Sequence, residues 1–170
     1  MKEEKFGVGT KHTTSEGCEI EIVGKINVLR RRVRFENGYE VGVKYSNVGT
    51  GSIKNPYHPS VYCVGYYGVG DYNARINGKI APEYDVWRSM IQRCYDKKTQ
   101  EKHPTYKGVV VCEKWHNFQI FAQWYNENCP RIEGVKLQLD KDLLQQEEDN
   151  KIYDGSENTR DFSHGMNRHY

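Results

Sequence analysis

The chain has no apolar run within residues 1–20, no stretch of membrane-spanning length and no Cys-x-x-Cys pair. The first absence leaves nothing that would act as a signal peptide. The second leaves no transmembrane candidate. Five cysteines, an odd number without zinc-ribbon spacing, argue against a disulfide framework and fit reduced thiols in a cytosol. Excess charge is scarce as well: 25 basic against 23 acidic residues leave +2, so only local clustering can argue for a nucleic-acid partner. A hydrophobic share of 36% and a mean hydropathy of −0.88 restrict the chain to small cores. Aromatic residues are plentiful, with 13 Tyr, five Phe and three Trp, each ring able to bury a large area. A length of 170 residues suits one medium domain or two small ones.

Residues 18–45 carry the period-2 pattern of strands. Ile20 and Ile22 alternate with Glu19 and Glu21. Leu29, Val33 and Phe35 are expected on one face of a second strand, and Tyr39, Val41 and Val43 on one face of a third. Between them, Glu36-Asn37-Gly38 predicts a hairpin, with Asn-Gly supplying the positive φ of a type I′ turn. Three short strands with one apolar face make a twisted sheet or small barrel. Residues 46–79 change character: the glycines and prolines exclude a long helix, and Tyr62, Tyr66, Tyr67 and Tyr72 would order the stretch as a connector.

Beyond it, Tyr84, Trp87, Ile91 and Cys94, broadened by Met90, form a helical stripe over residues 83–95. A polar loop is expected over 96–108 and a short buried strand at 109–111. A second helix is expected from near Trp115, with Trp115, Phe118, Phe121, Ala122 and Tyr125 as its apolar face, ending before Pro130. A short strand at 135–139, an acidic loop around Glu147-Glu148-Asp149 and a polar tail complete the reading. The expected partition is a small β-module over 1–60, a Gly/Tyr-rich connector over 61–79 and an α+β module over 80–170.

The densest positive run is Leu29-Arg30-Arg31-Arg32-Val33-Arg34. Alternation sends Arg30, Arg32 and Arg34 to one side, about 6.6 Å apart along the strand. That step is close to the phosphate spacing along a nucleic-acid strand, and the planar guanidinium donates two hydrogen bonds to a phosphate. Such a face would track a backbone without choosing a sequence. The competing reading is a solvated face paired with Glu19, Glu21 and Glu36. Cys94, Cys112 and His116 offer three irregularly spaced metal donors without a clear fourth, a weak zinc pattern.

The stretch Trp87-Arg88-Ser89-Met90-Ile91-Gln92-Arg93-Cys94-Tyr95 is followed by Tyr106-Lys107-Gly108-Val109-Val110-Val111-Cys112-Glu113-Lys114-Trp115, then by Phe118, Phe121 and Trp124. Together with Leu139-Asp140-Lys141-Asp142-Leu143, Asn150-Lys151-Ile152-Tyr153, Ser156-Glu157-Asn158 and Met166-Asn167, this resembles the bacteriophage HNH endonuclease family, often associated with Apetala-type DNA-binding modules. The run Gly51-Ser52-Ile53-Lys54-Asn55-Pro56 is similar to the β-module that precedes this region in some members, so the likeness spans nearly the whole chain at scattered positions.

The resemblance implies an α+β fold, a small N-terminal β-sheet or barrel followed by a helix-rich module ending in an HNH-like ββα element. It implies binding of double-stranded DNA in a bacterial host's cytoplasm, and phosphodiester hydrolysis with Mg2+ or Mn2+ held by Asp140 or Asp142 and by Asn158. Asn167 or His169 would complete the set. Where active members carry the histidine base, this sequence has Lys141, whose ammonium lacks a lone pair at neutral pH. Lys141, Asn158 and His169 are therefore the candidate catalytic positions, with His164 or His169 as substitutes for the base. Arg30, Arg32, Arg34, Arg88, Arg93 and Lys107 are the candidate DNA contacts. Two functions remain open: a metal-dependent, homing-type DNA endonuclease, or a catalytically degenerate binder that regulates DNA or inhibits a host defence protein.

Overall fold

The computed structural model describes residues 5–129 and the strand at 151–153. The chain is α+β and divides into two units, Met1–His58 and Pro59–Tyr170.

The first unit is a four-stranded antiparallel meander, β1 (Lys11–Thr13), β2 (Glu19–Asn27), β3 (Arg30–Phe35) and β4 (Glu40–Lys44), followed by a short helix α1 (Tyr45–Thr50). β1 is an addition to the three strands expected, because Lys-His-Thr carries no apolar alternation. Ile20, Ile22, Val33, Phe35, Val48 and Ile53 form the core, with Phe6, Cys18, Tyr39, Val41 and Val43 packed around it. The Phe35-to-Tyr39 connection differs from the type I′ turn expected. Only Gly38 takes positive φ (83°), and Asn37 does not. The Phe35 N–H bonds to Tyr39 O at 2.9 Å and the Gly38 N–H to Phe35 O at 2.9 Å, leaving a three-residue loop with glycine at the left-handed position.

β3 buries every second residue, and the buried set is Arg31, Val33 and Phe35. Leu29 does not share that face. It lies in the two-residue turn before β3 and is 74% exposed, while Arg31 is only 2% exposed. The parity of the strand, once anchored by Val33 and Phe35, drives an arginine inward.

Its guanidinium is met by backbone. Arg31 Nε donates to Phe6 O at 3.2 Å, and Nη1 donates to Asn27 O at 3.0 Å and to Arg30 O at 3.2 Å. The group also stacks over the Tyr45 ring, 4.7 Å from its centroid. A buried cation is tolerated only where its donors find acceptors, and a planar fork meets several carbonyls at once.

The second unit packs α2 (Pro82–Tyr95) against α4 (Phe118–Asn128) and against strand β7 (Val109–Val111). α2 starts on Pro82, whose fixed φ suits a first helical position, and buries Val86, Trp87, Met90, Ile91 and Cys94. The Trp87 indole N–H donates to Trp115 O at 2.7 Å, which joins α2 to the turn before α4. Trp115 itself precedes α4, in a 3-10 turn over Glu113–His116. The helix begins only at Phe118, where Asn117 Oδ1 caps the Gln119 N–H at 2.9 Å. The loop expected over 96–108 contains a polar helix α3 (Lys97–Lys102) and a 3-10 turn, Pro104–Tyr106. Asp96 starts α3 by accepting from the Thr99 N–H and hydroxyl, bonds that hold its carboxyl below the ordinary carboxylate range.

The Gly- and Tyr-rich stretch belongs to this second unit. Gln119 clamps Tyr72 through its backbone, Oε1 accepting from the N–H and Nε2 donating to the carbonyl, both at 3.0 Å. Within it, β5 (Arg75–Ile76) and β6 (Lys79–Ile80) form a small hairpin on Asn77-Gly78, with positive φ at both residues (51° and 77°). The last described strand, β8 (Lys151–Tyr153), pairs in parallel with β7. The strand expected at 135–139, the acidic loop at 147–149 and most of the ββα element lie outside the described residues. No helix among the described residues is long and apolar enough to cross a membrane.

Two outcomes check this packing. Arg31→Lys should destabilise the first unit by about 1–3 kcal/mol, because one ammonium cannot satisfy carbonyls that a fork reaches; urea unfolding followed by far-UV circular dichroism measures it, and an unshifted midpoint refutes the role. Gly65→Ala should lower the melting temperature, since the added Cβ would stand 2.9 Å from a Trp87 ring carbon, and such overpacking costs about 1–3 kcal/mol.

Candidate nucleic-acid interface

The outer face of the first unit's sheet can be read row by row from its register. Lys11, Glu21, Arg34 and Glu40 are successive cross-strand partners in one row. In the next, Arg32 lies between Gly24 and Gly42. At the far end, Arg30 lies between Asn27 and Lys44. The charge is therefore polarised along the strands. Glu19, Glu21, Glu36 and Glu40 gather at one end; Arg30, Arg32 and Lys44, all exposed, gather at the other, while Lys25, also exposed at that end, is the cross-strand partner of the inward Arg31 and belongs to the opposite-facing row.

This arrangement separates the three arginines grouped by alternation. Arg34 is engaged: its Nε is 2.8 Å and its Nη2 2.7 Å from Glu40 Oε1, and Glu21 is its partner on β2. The pair is half-exposed, so it adds little stability. Its larger consequence is two carboxylates beside Arg34, which oppose an approaching phosphate. The competing expectation of Glu partners thus holds for Arg34: Glu21, one of the expected trio, is its cross-strand partner, and Glu40, outside the trio, makes the ion pair.

Arg32 is different. Flanked by two glycines, its side chain has no hydrogen-bond or ion-pair partner among the described residues. Arg30 Nη2 donates to Gly42 O at 2.9 Å and keeps its remaining donors exposed. Lys25 and Lys44 escaped the sequence reading; the signal for Lys44 is the same alternation, carried one strand further across the sheet.

In the second unit, Arg88 is exposed on α2 and lines a surface cavity of about 470 Å³ together with Tyr67, Asn73, Arg75 and Tyr84. Burial pushes the Tyr84 hydroxyl above its ordinary value of 10.0, and the Arg88 charge acts in the opposite direction. Arg93, grouped with Arg88 by sequence, faces inward. It is half-buried, donates to Ser89 O at 3.3 Å and to the Tyr106 hydroxyl at 3.3 Å, and lies over the Tyr106 ring. Its place is structural, tying α2 to the 3-10 turn. Lys107 is exposed, between that turn and β7. Lys141, Asn158 and His169, the expected catalytic set, and Asp140 and Asp142, the expected metal ligands, lie outside the described residues, as do His164 and Asn167.

Cys94, Cys112 and His116 do not make a metal centre: no group of three or more His, Cys, Asp or Glu residues among the described residues is placed to hold an ion. His116 Nε2 lies 3.0 Å from Val111 O and 3.4 Å from the Tyr95 hydroxyl, a packing role beside β7. Cys94 is buried, and burial pushes its thiol up to about 12.

Comparison with protein-family models, curated proteins and solved structures finds no match to the chain. The candidate interface therefore rests on its own geometry.

The thiols supply a direct check. Cys63 is exposed, whereas Cys94 and Cys129 are buried with thiols raised by burial to about 12. At pH 8 a disulfide reagent should titrate Cys63 first and reach Cys94 and Cys129 only on unfolding. Because both folded values lie above the ordinary 9.0, the stability linked to these thiols is present below pH 9 and is lost as pH rises towards 12. Rapid labelling of all five cysteines in the folded chain contradicts this burial.

Proposed function

We propose that the chain is a DNA-binding protein of the bacteriophage HNH endonuclease type, and that the basic end of the first unit's sheet grips the phosphate backbone of double-stranded DNA. The observation that carries the reading is the polarised face: Arg30, Arg32 and Lys44 share one end of the sheet's outer face, and the acidic partners are confined to the other. A net charge of +2 would not attract DNA by itself, but the local field of three exposed cations on one face does. Neutralising phosphates releases condensed counterions, so binding by this face is salt-sensitive and indifferent to base sequence.

Binding is the reading chosen over hydrolysis. The kinship would give the carboxylates Asp140 and Asp142 and the Asn158 amide to a divalent metal, but Lys141 stands where a histidine base is expected. A scaffold that keeps its backbone-gripping face while losing its base retains affinity and loses turnover.

Three cations predict a log–log salt slope between about −2 and −3 on a short duplex. Changing Arg30, Arg32 and Lys44 to Gln should remove about one unit of slope per residue. Arg34→Gln should remove much less, because Glu40 and Glu21 already surround that charge. Fluorescence anisotropy against salt concentration measures both. Equal losses from Arg32→Gln and Arg34→Gln would overturn the polarised face. Incubation of plasmid with Mg2+ or Mn2+ is the companion measurement: nicking that vanishes in Asp140→Ala and Asn158→Ala would restore hydrolysis to the proposal. Failure to retain any duplex at low salt would move the reading to a protein partner, such as a host defence enzyme.

A further inference from the structure

The turn between β2 and β3 breaks the usual chemistry of turns. Its two loop residues are Val28 and Leu29, which are 78% and 74% exposed. Tight hairpins normally place Gly, Asn or Asp there, because the favoured turns need positive φ. Neither Val28 nor Leu29 takes positive φ. Stability alone gives no reason to present two aliphatic side chains to water at such a position, and a local rule broken without structural gain marks a functional site.

The tip is also held rigidly. The Leu29 N–H donates to Asn27 Oδ1 at 2.9 Å, and Leu29 O accepts from the Tyr45 N–H at 2.8 Å. From inside the sheet, Arg31 Nη1 holds the carbonyls of Asn27 and Arg30, the two residues that flank the turn. Ile26, an extra residue at a β-bulge, is 46% exposed; its Cδ1 lies so close to Gly42 that a Cβ there would stand 2.8 Å away. Glycine at 42 thus lets Ile26 extend the apolar surface beside the tip.

Around these residues the exposed charges are Lys25, Arg30 and Lys44, with Arg32 one row behind. We infer that Val28 and Leu29 form a preorganised wedge that enters between stacked base pairs of the duplex gripped by these cations. The inference rests on the DNA-binding reading of the sheet and gives the tip a task within it. Apolar wedges flanked by cations partly unstack a base step and kink the duplex, and the phosphates on either side meet the positive rim. Val28 and Leu29, the most exposed of these apolar residues, are the two that would enter a gap between base pairs. A membrane surface is held by a broader apolar face or by more than one anchor.

The test uses the full chain and a series of short duplexes carrying 2-aminopurine at successive TA steps, which unstack readily. Binding is followed by anisotropy and unstacking by 2-aminopurine emission in the same titration. The wild-type chain should raise the emission at one or more steps. Val28→Ser/Leu29→Ser should abolish the rise and leave the salt slope within about one unit of wild type. Val28→Ile/Leu29→Met should retain the rise. Both positions are exposed, so circular dichroism should find these variants folded.

Binding without any rise in emission, or a rise that survives in the serine pair, overturns the wedge and leaves the sheet reading intact. Absence of duplex binding overturns both. In that case, co-sedimentation with anionic phospholipid vesicles that is lost in the serine pair would assign the tip to a membrane surface instead.

Discussion

A single guanidinium, that of Arg31, sits where a sheet of this size would ordinarily place an aliphatic side chain, and the first unit's exposed features follow from it. Leaving a buried cation without acceptors costs far more than a small sheet can offset. The carbonyls of Phe6, Asn27 and Arg30 and the face of Tyr45 supply what water would have supplied. Two of those carbonyls belong to the residues flanking the β2–β3 turn. The inward arginine therefore satisfies and fixes backbone that an aliphatic turn, with no side-chain acceptor beyond Asn27, could not hold alone. An apolar tip on an otherwise polar chain becomes stable because its polar backbone is engaged from behind.

The same parity that buries Arg31 puts Arg30, Arg32 and Arg34 outside, but the cross-strand neighbours decide what each can do. Long-range attraction by an exposed cation depends on the sum of charges within a Debye length, roughly 8–10 Å at moderate salt. Within that radius Arg34 has Glu40 and Glu21 as direct cross-strand partners, and its field largely cancels. Arg32 has two glycines in its row, and Arg30 has Asn27 and Lys44, so their fields add. Glycine at 24 and 42 thus contributes electrostatically as well as sterically: neither cross-strand partner of Arg32 carries a charge that would cancel its field.

Much of this fold was legible from periodicity. The α2 stripe from Trp87 to Cys94 and the apolar faces of β2 and β4 stand where the pattern predicts, because buried side chains impose the period directly; in β7 only Val109 and Val111 are buried, and Val110, expected in the core, is exposed. The misses share a cause. β1, α3 and the short α1 have little or no buried face of their own, so hydrophobic alternation carries no signal for them; α3 is announced only by the Asp96 cap and its bonds to Thr99. The Asn-Gly pair at 37–38 signals a two-residue turn, but three residues span that turn and only glycine needs positive φ. The Asn-Gly rule operates at 77–78, where two residues close a hairpin. Alternation placed the even-numbered arginines on one face but could not exclude Leu29 from the other, because strand limits depend on where pairing stops. Nor could one sequence show Glu40 opposite Arg34, a fact of register. The expected catalytic set was legible only through a resemblance, and it lies beyond the described residues.

The two proposed roles also differ in how they depend on each other. On the proposed reading, phosphate contacts from the sheet would contribute affinity through counterion release, a term set by the number of neutralised charges and independent of any proton transfer elsewhere in the chain. Hydrolysis, in contrast, requires a base with a free lone pair near the scissile phosphate, and a lysine provides one only if its pKa is strongly depressed. Substitution at position 141 can therefore remove turnover without touching the grip of Arg30, Arg32 and Lys44. A chain in that condition would still occupy and distort DNA, and a rigid apolar tip is of more use to a protein that reshapes its duplex than to one that merely rests on it.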